Sequence, residues 1–213
     1  MASRKPGPTC VTNEPPFDNG TLCRSQSPLP GPTGSNVDAA ESPASITAKN
    51  RKLVRLVENK KYLEDKNVKA FLQAIGAAEG GDYNLKYGGV KGKNNDRWQF
   101  TDFSTHPGAG ADGKTTAAGM YQINRDTWRE MGSKMGLTDF SSSTQDLLAV
   151  EILRSIRVID AIVSGDIDSA LAEASRRWAA LPEGPGKPGR YAQPYMKYSD
   201  FVAAYKQAGG KTK

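Results

Sequence analysis

Val68, Phe71, Leu72 and Ile75 fall at i, i+3, i+4 and i+7, the spacing of one buried helix face, and Glu79 extends that series at i+11. Gly80 and Gly81 follow at once. Glycine adopts the left-handed conformation that stops a helix, so the spacing predicts a helix over 66–79 with Glu79 in its last turn. A carboxylate there is aimed where water is scarce and sits among the unpaired carbonyls of the helix C-terminus. Desolvation and that negative potential both favour the neutral acid and raise its pKa. A proton donor held ready near neutral pH is what cleavage of a glycosidic bond requires. A Glu at a frayed helix end reaching back to solvent is the competing reading of this position alone.

Downstream of Glu79 come Tyr83-Asn84-Leu85-Lys86-Tyr87-Gly88-Gly89, Phe100-Thr101-Asp102-Phe103-Ser104-Thr105-His106-Pro107 and Thr116-Ala117-Ala118-Gly119-Met120-Tyr121-Gln122-Ile123. Gly136-Leu137-Thr138-Asp139-Phe140-Ser141, Gln145-Asp146, Gly165-Asp166-Ile167 and Trp178-Ala179-Ala180-Leu181-Pro182 follow. In this order and at these intervals the blocks resemble the phage lambda-type endolysins, lytic transglycosylases with a lysozyme-like fold. The resemblance covers about residues 65–210, all but the amino-terminal quarter.

The 213 residues divide by composition into an arm, 1–45, and a domain, 46–213. The arm carries Pro6, Pro8, Pro15, Pro16, Pro28, Pro30, Pro32 and Pro43 among Gly, Ser and Thr, with few large apolar side chains, and is expected to be extended or disordered. Its basic residues are Arg4, Lys5 and Arg24 and its acids Glu14, Asp18, Asp38 and Glu41, so it holds −1 of the net +6 and the domain holds +7. Such charge suits an anionic partner without choosing one. Lys49, Arg51, Lys52, Arg55, Lys60 and Lys61 cluster on a helix whose other face carries Leu53, Leu56 and Val57, a pattern open to nucleic acid or a membrane surface. A solvated face on a packing helix is the plainer reading, because no nucleic-acid motif accompanies the cluster.

No apolar run has the length of a membrane span, and Met1-Ala2-Ser3-Arg4-Lys5-Pro6 leads into prolines rather than an apolar signal core. Synthesis in the cytoplasm without a signal peptide is therefore expected, with action in the periplasm or on the cell wall after passage through a holin pore or a secretion machine. Cys10 and Cys23 both lie in the arm, as a disulfide closing a short loop or as two free thiols. With one histidine in the chain no zinc site can be assembled from Cys and His, and no cofactor is implied.

Helices are predicted at about 47–62, 66–79, 125–135, 143–163, 167–180 and 195–208. Ser142 with Gln145 forms a capping-box pattern, Asp166 is placed to cap, and Gly165 and Gly209-Gly210 are placed to terminate. Aromatic and β-prone residues around Gly88, Gly89 and Gly92, between Tyr83 and Phe103, predict a small hairpin. Against the lambda pattern this hairpin gains several residues at Lys91–Arg97. The predicted class is α+β, a mostly helical lysozyme-like domain with a cleft between helices and hairpin.

The resemblance implies that Glu79 protonates the glycosidic oxygen and then accepts a proton from the C6 hydroxyl of muramic acid, which attacks its own anomeric carbon. An intramolecular nucleophile needs no activated water and no second carboxylate. In the other common phage lysozyme pattern an Asp and a Thr follow nine and fifteen residues after the Glu, and here those places hold Gly88 and Asn94. Asp82, Asp96, Asp102 and Asp112 keep a hydrolase open. Asn84 stands where the lambda pattern has Asp, and an amide cannot act as a base. Gly119 and Gln122 are expected to meet the sugar, the first by close backbone approach and the second through its amide. Thr116 is assigned a hydrogen bond to Glu79, and Tyr121 belongs to the same substrate-site block, packed beneath its turn. Tyr87, Trp98 and Trp178 offer flat faces to sugar rings or to the core. His106 is expected to be structural. The expected partner is the peptidoglycan glycan strand, bound by a monomer; a hydrolytic muramidase serving as an antibacterial effector and a non-catalytic wall-binding module are the alternatives.

Overall fold

The stripe of residues 68–75 becomes the buried face of α2 (Lys66–Glu79) in a computed structural model that describes residues 42–213. Asp65 starts this helix by accepting the N–H groups of Asn67 and Val68 at 2.8 and 3.0 Å. Gly80, at φ +61°, ends it in the left-handed conformation. Around it run α1 (Pro43–Glu64), α3 (Arg125–Met135), α4 (Ser142–Ser155), α5 (Ile159–Val163), α6 (Ile167–Ala174) and α7 (Tyr198–Gln207). α2 packs on α7, where Phe71 meets Phe201 and Tyr205 edge-on at 5.2 and 6.4 Å, and on α5 and α4. α1 lies against α3 and α4. α4 buries almost every residue from Thr144 to Leu153, so it and α2 form the centre of the domain.

The helix predicted over 143–163 is two helices. After Ser155 the chain turns through Arg157 at φ +62° and restarts at Ile159. The 167–180 helix stops at Ala174, and its remainder forms turns that lead to Trp178. Ser141, not Ser142, caps α4, accepting the Thr144 N–H at 3.3 Å, while Gln145 turns inward instead of closing a capping box. Asp166 caps α6 through the Ser169 N–H at 3.2 Å, and Gly165 and Gly209 take positive φ at the helix ends assigned to them.

The hairpin is corrected. No strand occurs among the described residues; Leu85 bridges Gln99, Lys86 bridges Ala118, and Ala118 bridges Ile123, each as an isolated antiparallel pair. Consecutive residues 85 and 86 thus pair with different segments, and positive φ at Gly88, Gly92 and Asn95 bends the chain before a ladder can extend. The α+β expectation becomes a mostly helical domain with a looped, bridged region over 83–123. Leu53 and Val57 are also corrected, since α1 turns them outward and packs Leu56, Tyr62 and Leu63 instead. The arm assigned to 1–45 and the Cys10–Cys23 pair fall outside the described residues, apart from the start of α1.

Candidate active site

Glu79 closes the last turn of α2, and one of its carboxyl oxygens, Oε1, is cut off from solvent with no hydrogen-bond partner. Burial pushes its pKa from the ordinary 4.5 up to about 7, partly offset by the backbone N–H of Ala180. A buried carboxyl oxygen without a donor is costly as a carboxylate and tolerable as a neutral acid.

Three segments meet at this helix end. Gly81 lies so close to the 119–122 turn that a Cβ there would stand 2.2 Å from the Met120 carbonyl oxygen, and the Met120 thioether covers Gly76 one turn back along α2. The turn itself holds Gly119 at φ +77° and Gln122 at φ +46°, closed by paired hydrogen bonds between Ala118 and Ile123. Trp178, buried, donates its indole N–H to the Tyr121 carbonyl at 3.0 Å, which brings Ala180 beside Glu79.

The start of α4 fastens these pieces. Gln145 is fully buried; its Oε1 accepts the Met120 N–H at 2.9 Å, and its Nε2 donates to the Tyr83 and Phe140 carbonyls at 2.9 and 2.8 Å. Asp146 next to it accepts the hydroxyls of Tyr83 and Tyr121 at 2.8 and 2.6 Å. The phenols are pushed up accordingly, Tyr83 to about 12, by burial first and the carboxylate second. From sequence Gln145 receives only a place in a capping box and Asp146 no role at all. The available signal was Gln145 in register with Leu148 and Ile152 on a buried stripe, where a polar side chain needs partners.

The residues assigned to substrate divide. Tyr87 is 43% exposed, with its backbone held by Ala117 and Ala111 at 2.8 and 2.9 Å. Asn84 is half-buried, and its carbonyl accepts the Phe100 N–H at 2.9 Å. Thr116 is drawn away from Glu79: its hydroxyl donates to Asn124 at 3.3 Å and accepts the Arg125 N–H at 3.1 Å, bracing the start of α3. The close approach that Gly119 permits is to Gln145, whose Oε1 would lie 2.1 Å from a Cβ. Gln122 folds its amide back on the Gly119 carbonyl at 2.9 Å. Tyr121 is buried beneath the turn. Trp98, half-buried, carries the cations of Arg97 and Lys86 at 4.9 and 5.8 Å from its ring centre.

His106 is buried between Phe140 and Trp128. Its Nδ1 accepts the Gly108 N–H at 3.1 Å, so Nε2 carries the proton and donates to the Ile123 carbonyl at 3.0 Å. Burial holds its pKa down. Each acid named as a second carboxylate is turned to nearby backbone: Asp82 accepts from Tyr83, Asp96 from Trp98, Asp102 from Ser104, and Asp112 from Lys114 and Thr115, at 2.7 to 2.9 Å. Those bonds lower the pKa values of Asp96, Asp102 and Asp112, the first through the Trp98 N–H and the others led by the Ser104 and Thr115 hydroxyls. Among the described residues no group of three or more His, Cys, Asp or Glu could hold a metal ion.

The solved structure of bacteriophage lambda lysozyme complexed with a chitohexasaccharide is similar to this one, with a TM-score of 0.57 at 31% identity, over 70% of this chain and 97% of that one. A second lambda lysozyme structure gives 0.56 at 30% identity with the same coverage. The fold is that of a lysozyme-like enzyme. In sequence, the endolysin of Escherichia phage lambda is 33% identical over 156 residues, 67% of this chain and 90% of the relative. That of Escherichia phage P2 is 31% identical over 162 residues, 68% and 93%. A family model for endolysins matches residues 69–212, so the chain belongs to the endolysin family of peptidoglycan-degrading enzymes.

Proposed function

We propose that this endolysin is a lytic transglycosylase, cleaving the β-1,4 bond between N-acetylmuramic acid and N-acetylglucosamine with Glu79 as its single catalytic group. The protonated carboxyl gives its proton to the bridging oxygen as the bond from that oxygen to the muramic C1 breaks. The carboxylate left behind takes the proton of the C6 hydroxyl as O6 bonds to C1, closing a 1,6-anhydro ring and restoring the acid. No water enters, and acid and base are one residue used twice. The observation that carries this reading is the buried, unpartnered Oε1 of Glu79 together with a pKa of about 7, which lets one carboxyl both give and take a proton near neutrality.

Two further features support it. The four acids open to a second-carboxylate role each accept local backbone N–H groups, and the Asn84 amide cannot act as a base. The exposed face of Tyr87, on the segment bridged to the 117–119 strip, is the surface offered to a sugar ring. Gly119, Tyr121 and Gln122 build the wall of the site through its backbone. Delivery through a holin pore and action as a monomer on the cell wall fit this reading. A purely wall-binding module has no use for a buried acid that costs stability. Mass spectra of digested sacculi test the proposal: the main muropeptides are expected to lack one water relative to hydrolytic products. Muramic acid with a free reducing end as the main product would defeat it and transfer attention to Asp102 as a second carboxylate.

A further inference from the structure

α1 lies outside residues 69–212, the stretch matched by the endolysin family model, and presents apolar side chains to water. Ile46, Leu53, Val54 and Val57 are each 47–58% exposed. At 100° per residue they occupy one arc of about 100°, on the side opposite Arg55, Asn59 and Tyr62, which face the body of the domain. The stripe is therefore not a packing face turned slightly outward; it points away from the fold. Basic residues border it. The helix holds Lys49, Arg51, Lys52, Arg55, Lys60 and Lys61 against Glu58 and Glu64. Arg55 is engaged by Glu151 and Glu58 by Arg154, so the exposed balance along the helix is strongly positive.

We infer that α1 is an interfacial helix that seats this enzyme on an anionic lipid bilayer, with Leu53, Val54 and Val57 entering the acyl boundary and Lys60, Lys61 and Arg51 meeting phosphate headgroups. A second copy of the chain would bring two positively charged helices together, and a nucleic acid would leave the apolar stripe in water. An anionic bilayer takes both the stripe and the charge. The helix lies on the surface and does not cross, since no helix among the described residues is long and apolar enough to do so. The inference is independent of the transglycosylase reading, because its readout involves no catalysis.

Full-length protein is mixed with vesicles of equal parts phosphatidylglycerol and phosphatidylcholine, and with pure phosphatidylcholine vesicles, and the bound fraction is measured by sedimentation. Binding to the anionic vesicles is expected to be at least about tenfold tighter, and to weaken with added salt. Leu53→Ser with Val57→Ser should lower the partition by about a hundredfold, and Lys60→Gln with Lys61→Gln by about tenfold. Both pairs are exposed, so thermal midpoints should stay at the wild-type value. Equal binding to the two vesicles, no binding to either, or an unchanged partition in either paired variant overturns the inference. So does a dimer by light scattering that the Leu53→Ser, Val57→Ser variant converts to monomer, which would assign the stripe to a second copy.

Discussion

Glu79 is placed by two local devices, an apolar helical period and a glycine stop, and both can be read along a short stretch of chain. Its chemistry has a measurable cost. With an ordinary pKa of 4.5 raised to about 7, the folded protein holds a proton that the unfolded chain releases. The stabilisation is complete below about pH 4.5 and is lost as pH rises through about 7, a difference of about 3 kcal/mol by about pH 8. Glu79→Gln is therefore expected to be the more stable protein at about pH 8 by roughly 2–3 kcal/mol in urea titrations, with a flatter pH dependence. The same substitution should lower lysis of exposed peptidoglycan by at least about a hundredfold. Folded Glu79→Gln protein that lyses like wild type would place the acid elsewhere. Wild-type activity should also fall as pH rises past about 7, because the proposed reaction starts from the protonated form of Glu79. Thr116 and Gln122 were harder to read. The direction of a short polar side chain is set by partners such as Asn124 and the Gly119 carbonyl, whose positions depend on the folded turn.

Among the elements, α2 and α3 begin and end at the residues the sequence predicts, because each has a clear apolar period and a glycine at its C-terminus in the left-handed conformation. The region 83–123 was not legible in the same way. Its aromatic and β-prone residues suggest strands, yet the turns at Gly88 and Gly92 send successive residues to different partners, and the contacts that fix it come from α4. That dependence can be tested at Gln145. Gln145→Leu removes the acceptor for Met120 N–H and the donor for the Tyr83 and Phe140 carbonyls, leaving one buried and two part-buried backbone groups without this partner. A loss of about 3 kcal/mol or more in equilibrium unfolding is expected, with amide exchange at Met120 accelerated ahead of the rest of the domain. Gly119→Ala meets the same clamp from the other side. Its Cβ would overlap Gln145 Oε1 at a backbone φ of +77°, so a cost above about 2 kcal/mol is expected by the same measurement. A neutral outcome at Gly119 would mean that Gln145 does not hold the turn.

At the scale of the molecule, α1 adds a surface to a catalytic fold that the family model matches without it, and one buried charge ties it on. Glu151 on α4 is fully buried, and Arg55 of α1 grips it with two hydrogen bonds of 2.8 and 2.9 Å. Asn59 donates a third at 2.8 Å and accepts from Arg154 at 2.5 Å. This network meets α4 at Glu151, about 9 Å along that helix from Gln145, and uses none of the side chains placed around Glu79. Breaking it should uncouple stability from catalysis. Arg55→Ala leaves a carboxylate in the interior with one amide donor and is expected to cost about 3–5 kcal/mol in denaturant unfolding. Adding Glu151→Gln removes the stranded charge while keeping the Asn59 contact, and should recover at least about half of that loss. Turnover per folded molecule on exposed peptidoglycan should stay at the wild-type level in both proteins. No recovery in the double variant would mean that Arg55 acts through packing of its aliphatic stem, and a fall in turnover at full folding would connect α1 to the site around Glu79.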